Sequence, residues 1–364
     1  ALRQGPTDTR AKVVTPLLKP DKTLTKNDEE RCAVFNAEFE KQLNQAESFD
    51  PTALNEIKQF PVLHEFDEAP TAKEVRNVFS RARNGKADGP NGIAAEHWKA
   101  VMADQELFDC VVQLVQILFD QRVVPEDWKL SNLKELPKKG DLRLSTNWRP
   151  IMLRDAAAKI VTLIFGLRLG KVYQQHGRES QCGFCAERGT VDGVFNVKSV
   201  VQLRREAGLP TWALWVDLKK AFDTVSRKAM VLVLAKYGVP PKLCAVFEAL
   251  YAEAEVHLHI GEATSSFVST MGVFQGCGSS PVLFNFMVDA WFQAVEPRLR
   301  QHVLTFRSSD ATAAYGTSGN ASNIRGRSIS DNSTGTAFEV LEGLYADDAG
   351  TLVGSRSSVK AVGG

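Results

Sequence analysis

The chain has 364 residues, 44% hydrophobic and 24% charged, and its 44 Lys and Arg against 43 Asp and Glu leave a net charge of +1. That length exceeds one ordinary compact core and suits two packed domains or one large enzyme unit with subdomains. The composition excludes a disordered chain. No apolar run approaches about 18 residues, which excludes a helical membrane span. Ala1-Leu2-Arg3-Gln4 offers no apolar signal core, so the expectation is a fragment that is not secreted and works inside the cell, in the nucleus or cytoplasm.

Residues 1–24 are polar and Pro-interrupted, a loose lead-in. From Thr25 the spacing of Cys32, Phe35, Phe39 and Leu43 predicts an amphipathic helix. Thr71 and Glu74 form a capping box for a helix to about Arg83, followed by a turn-rich loop over 85–92. A helix over 105–121 should bury Leu107, Val111, Leu114 and Leu118. Residues 121–178 carry 12 cations against 5 anions, a local +7 interleaved with Trp128 and Trp148. Such a stretch reads either as a solvated face or as a phosphate-binding field.

Further on, 190–207 reads as helix and Trp212–Val216 as a buried strand running into Asp217. Helices follow over about 226–237 and 242–253, then a hairpin with arms near 255–260 and 265–273. Ser280 and Pro281 suit the start of another helix, with Leu283, Met287, Ala290, Trp291 and Ala294 facing inward. In 307–336, 18 of 30 residues are Ser, Thr, Gly or Asn, the composition of a flexible insertion. Short strands near 338–345 and 349–353 flank an acidic turn.

That turn is Tyr345-Ala346-Asp347-Asp348. Taken alone it reads as an ordinary hairpin turn, where Asp is common. Asp217 changes the weighing, because it ends an apolar strand, an expensive place for an unpaired charge. If that strand lies beside the acidic hairpin, three carboxylates converge. Such a cluster suits two Mg²⁺ ions about 3.5–4 Å apart, the arrangement for in-line phosphoryl transfer. Cys182 and Cys185 are the one close cysteine pair, and with His176 they fall short of a four-ligand zinc set.

Three segments in this order resemble the A, B and C motifs of reverse transcriptases: Asp217-Leu218-Lys219-Lys220-Ala221-Phe222-Asp223, Gln275-Gly276 with Ser280-Pro281, and Tyr345-Ala346-Asp347-Asp348. The upstream text resembles the enzymes of non-LTR (LINE-type) retrotransposons. It includes Gly85-Lys86 with Gly89-Pro90-Asn91-Gly92-Ile93, Pro125-Glu126-Asp127-Trp128, Pro137-Lys138-Lys139-Gly140-Asp141 and Asn147-Trp148-Arg149-Pro150-Ile151. Gln181-Cys182-Gly183-Phe184 with Arg188-Gly189-Thr190 completes the series, and the likeness runs from roughly residue 20 to 355.

The resemblance implies an α+β fold with the fingers and palm of a right-hand polymerase, an antiparallel palm sheet backed by helices, and no thumb. It divides the chain into an N-terminal extension (1–60), helices and fingers (61–210) and a palm (211–364) holding the insertion. It implies Asp217, Asp347 and Asp348 as catalytic carboxylates holding two Mg²⁺ ions, with Mn²⁺ as the alternative. Lys139 and Arg149 would grip the incoming triphosphate, and Gln275 and Gly276 would border its sugar and base. Phe222 would pack under the sugar and exclude a 2′-hydroxyl, which favours a DNA product over an RNA one. Asp223 is left as a structural acid. The implied partners are an RNA template, a DNA primer and dNTPs, with no membrane and no obligate protein partner.

The sequence departs from the family at Phe274, where Arg is usual, and at Gly278-Ser279, which replaces Pro-Leu. Cys185 takes a usual Arg position and Asn91 a usual Asp. The alternative to an active RNA-directed DNA polymerase is therefore a catalytically silent nucleic-acid-binding module derived from one.

Overall fold

The computed structural model describes residues 15–46, 49–206, 208–274, 276–299, 304–308, 329–330, 336–340, 343–345 and 348–353, those from 298 onward by their backbone alone. Helix α1 (Asp28–Leu43) begins at Asn27, whose side chain accepts from the Glu30 amide; Asp28, Glu29 and Glu30 fill the first turn, where the helix dipole favours acids. Its predicted stripe of Cys32, Phe35, Phe39 and Leu43 is buried. The lead-in packs from residue 15: Leu17 is fully buried and its amide donates to Thr25 Oγ1 at 2.8 Å.

Helix α2 (Ala72–Ser80) starts with the expected Thr71–Glu74 capping box. Burial raises the Glu74 pKa, but hydrogen bonds from Arg168 and Thr71 outweigh it and hold the carboxyl at about 2. After α3 (Ala95–Val101) comes α4 (Gln105–Gln121). Its buried face is Phe108, Val111, Val112, Val115, Leu118 and Phe119, whereas Leu107 is 51% exposed. The expected row holds at Val111 and Leu118, with Leu114 partly buried, and fails at Leu107. Periodicity sets the pitch of an apolar stripe, but the neighbours, here α2 and the later α8 (Pro241–Tyr251), decide which of two adjacent rows is covered.

The central helix α5 (Ala156–His176) is buried along most of its length. Gly166 is needed there, since a Cβ would come within 2.9 Å of Ser279 Cα at the start of α9 (Ser280–Leu299). On α9, Leu283, Phe284, Phe286, Val288, Ala290 and Phe292 are buried, but Trp291 is 43% exposed. Helices α6 (Thr190–Glu206) and α7 (Arg227–Lys236) match their expected spans closely.

The strands form separate sheets. One has the order β2–β1–β4–β5, from β1 (Leu130–Pro137), β2 (Trp148–Leu153), β4 (Ala254–Ile260) and β5 (Ala263–Ser269). It is mixed: β1 pairs antiparallel with β2 and parallel with β4, and β4–β5 is an antiparallel hairpin against which α1 packs. A second sheet has the order β3–β10–β9, from β3 (Trp212–Asp217), β9 (Gly343–Tyr345) and β10 (Asp348–Val353), with both pairings antiparallel. The α+β class is as expected. Among the described residues the sheet that carries Asp217 is antiparallel, while the β4–β5 hairpin joins β1 in the mixed sheet.

Most of the 307–336 segment lies outside the described residues. Its described ends fall in a third sheet of order β7–β6–β8, from β6 (Leu304–Ser308), β7 (Ile329–Ser330) and β8 (Thr336–Val340). No helix among the described residues is long and apolar enough to cross a membrane.

Candidate active site

Strand β3 is a run of aromatic and aliphatic residues that ends in Asp217. Its expected burial is not observed: Trp212 is 42% and Trp215 65% exposed. Among the described residues β3 pairs with β10 alone, at the edge of a small sheet. The register of that pairing sets Asp348 directly opposite Asp217, with Ala349 opposite Val216 and Val353 opposite Trp212. Directly opposed residues of an antiparallel pair share one face of the ladder, with Cβ positions about 5 Å apart. Strand β9 closes back on β10 with Tyr345 opposite Asp348, leaving a two-residue connection. That connection is Ala346-Asp347, so Asp347 lies outside the described residues.

Beyond Asp217 the chain turns sharply. Lys220 has φ +56°, and its carbonyl accepts from the amides of Asp223 and Thr224 at 2.9 and 3.2 Å. Phe222 sits in this turn, partly buried, stacked on Phe284 with ring centroids 4.7 Å apart. Asp223 is 5% exposed and accepts from Gln42 Nε2 at 2.6 Å, which ties the turn to α1. This is the structural use expected of it.

The basic stretch contributes from the β1–β2 hairpin. Arg149 lies on β2 opposite Leu136, and Lys139 follows β1; both side chains are exposed. Lys138 is one position the sequence reading missed. Burial draws its ammonium below the usual lysine range, and the nearby Lys220 and Arg149 cations push the same way. Cations from the hairpin and from the turn after β3 are therefore close enough to repel, an arrangement that welcomes a polyanion. The Lys138-Lys139 pair is visible in the sequence, but which of them turns towards Lys220 is a product of the fold.

Gly276 has φ +101°, a conformation that L side chains rarely adopt, and a Cβ there would lie 3.6 Å from Met152 O on β2. Gln275 lies outside the described residues. Phe274, at the usual Arg position, is buried and stacks on Tyr251 at 4.5 Å with rings 6° from parallel. Two guanidinium groups lie over Phe274, Arg154 at 4.5 Å and Arg227 at 5.3 Å.

Arg227 is the second missed residue. It donates to the carbonyls of Gly272, Tyr251, Ser269 and Met271 and to Ser269 Oγ, so it gathers the backbone leading into the Gln275 loop. Burial lowers it to about 10, so it stays charged at neutral pH. A lone Arg at the start of a helix carries no sequence signal for such a task.

Cys182 is buried and Cys185 half-buried, and burial raises both thiols. Among the described residues no group of three or more His, Cys, Asp or Glu is placed to hold a metal. Asp347 and the side chain of Asp348 lie outside the described residues. Surface cavities of about 460 Å³ beside His176 and Asp289 and about 660 Å³ beside Phe66 and Arg168 contain none of the expected site residues.

Known proteins share these features. The family model described as "Reverse transcriptase (RNA-dependent DNA polymerase)" matches residues 136–360, which includes every expected site residue from Lys139 to Asp348. The Transposon TX1 uncharacterized 149 kDa protein of Xenopus laevis is 28% identical over 239 residues, covering 64% of this chain and 18% of that protein. A Retrovirus-related Pol polyprotein from type-1 retrotransposable element R2 of Popillia japonica is 28% identical over 168 residues, 46% of this chain and 23% of its own length. That from type-2 retrotransposable element R2DM of Drosophila melanogaster is 24% identical over 211 residues, 58% of this chain and 19% of its own. The chain thus matches about a fifth of the length of these curated relatives. With more than half of its residues inside the family match, the chain belongs to the reverse transcriptase (RNA-dependent DNA polymerase) family, as a reverse transcriptase domain of the non-LTR, LINE-type retrotransposon class.

Proposed function

We propose that this domain extends a DNA primer on an RNA template, with Asp217, Asp347 and Asp348 as its catalytic carboxylates. The observation that carries the reading is the β3–β10 register, which sets Asp348 opposite Asp217 although 131 positions separate them in the chain. Asp217 and Asp348, opposite each other in register, together with Asp347, the residue before Asp348 in sequence, would supply an all-oxygen donor set of the kind that hard divalent cations prefer. The three carboxylates would hold two Mg²⁺ ions, or Mn²⁺ in their place. When bound, such ions acidify the attacking primer 3′-hydroxyl and neutralise charge on the leaving pyrophosphate.

The chain's own side chains handle binding and orientation. Arg149 and Lys139, with Lys138 and Lys220 beside them, draw in the triphosphate and fix its direction. Gly276 lets the backbone come close to the nucleotide, and Gln275 borders its sugar and base. The ring of Phe222 lies under the sugar and rejects a 2′-hydroxyl by volume. No side chain serves as a covalent nucleophile, because the attacking oxygen belongs to the primer. In this reading 61–210 supplies helices and fingers and 211–364 the palm, while 1–60 is the N-terminal extension whose α1 braces the β4–β5 hairpin. The RNA template and DNA primer place its work inside the cell, in the nucleus or the cytoplasm.

The test is primer extension on a primed RNA template with dNTPs and Mg²⁺. Asp217→Ala should lower incorporation by about a thousandfold or more while template binding persists. Extension retained by that variant would falsify the reading.

A further inference from the structure

We propose that Phe184 is a positioning residue that clamps the ring of Phe222 and thereby sets how strictly the site rejects a ribonucleotide. The inference rests on the reading of Phe222 as the residue under the incoming sugar. Phe184 has φ +56°, a left-handed conformation that is unfavourable for a bulky aromatic. Such a backbone persists only where its surroundings over-determine it. They do so here. The Gly183 amide donates to Gln181 Oε1 at 2.8 Å, and Asn285 Nδ2 of α9 donates to the Gly183 carbonyl at 2.9 Å. Arg188 Nη1 donates to the carbonyls of Arg178, Glu179 and Gln181 at 3.0–3.3 Å. Gln181 and Asn285 are both fully buried.

This rigid turn does not bury its own aromatic ring. Phe184 stays 54% exposed, with its ring perpendicular to that of Phe222, 89° between planes and 6.3 Å between centroids. Phe222 also stacks on Phe284, at 4.7 Å and 18°. Phe284 is the neighbour of Asn285 on α9, so both of these ring contacts are referenced to one buried helix turn. Rejecting a single hydroxyl by volume works only if the rejecting ring cannot swing aside. Phe284 stacks on that ring, and the perpendicular ring of Phe184 adds a second contact that limits its motion. A loop residue that merely covered apolar surface would not need a strained backbone fixed by two buried amide side chains.

The experiment compares incorporation of dNTPs and rNTPs on a primed RNA template by the full-length protein, with kcat and KM measured separately for each. Phe184→Ala should lower the dNTP-over-rNTP preference about tenfold, mainly through a smaller KM for rNTP. Phe184→Tyr should keep the preference, since its ring still reaches Phe222. In a Phe222→Ala background, Phe184→Ala should change the preference no further. A purely structural role would lower both efficiencies together and leave their ratio intact. If Phe222→Ala relaxes the preference and both Phe184→Ala and Phe184→Leu leave it unchanged, the clamp is refuted while the reading of Phe222 stands. If Phe222→Ala itself has no effect on the preference, that reading falls, and the clamp falls with it.

Discussion

Strands β3 and β4 are both short and rich in apolar residues, yet the fold treats them oppositely. Val256, Leu258 and Ile260 of β4 are at most 3% exposed, because β4 has a partner on each edge and α1 across one face. Trp212 and Trp215 of β3 are 42% and 65% exposed, in a strand with one partner among the described residues. The contrast separates scaffold from chemistry. The β4 region stores stability in buried area, at about 1.5–3 kcal/mol per large aliphatic side chain. The β3 region buries little and ends in Asp217, the carboxylate proposed to act on substrate.

Substitutions should therefore divide along the same line. Beyond the loss of extension expected for Asp217→Ala, the largest effect should come from the buried strand. Leu258→Ala leaves a cavity in the core and should cost about 3 kcal/mol in chemical denaturation. A cost near zero would show that β4 is no better anchored than β3. Next comes Arg149→Ala, which removes an exposed guanidinium from the β1–β2 hairpin. It should raise the KM for dNTP about thirtyfold, close to 2 kcal/mol, with the unfolding midpoint unchanged. An unchanged KM would move the triphosphate away from this hairpin. The smallest effect should be on β3 itself. Trp215→Ala should alter stability by no more than about 0.5 kcal/mol, the range of exposed positions. A much larger loss would mean that this face is covered in the full-length protein.

Local features were readable where the physics is local. The capping box of Thr71 and Glu74, the stripe on α1 and the spans of α6 and α7 all depend on residues a few positions apart. Leu107 of α4 and Trp291 of α9 were turned inward when they face out, because neither depends on the helix alone. The expected buried character of β3 failed for the same reason. An apolar strand is buried only if the fold supplies something to cover it, and β3 lies at a sheet edge.

The candidate site shows the same division. Asp217, Asp348, Arg149 and Phe222 were nameable from motif order, each being a residue type whose chemistry suits the task. Lys138, Lys220, Arg227 and Phe184 were not singled out, since their roles depend on neighbours from distant segments. Sequence alone determined the family, the order of the motifs and the helices whose caps and stripes are self-contained, because those follow from short-range spacing and side-chain chemistry. Only the tertiary structure decided that the β4–β5 hairpin joins β1, that Asp348 stands opposite Asp217 and that Phe184 reaches Phe222. Strand pairing and ring contact between remote segments are set by how the whole chain packs, and no local pattern encodes them.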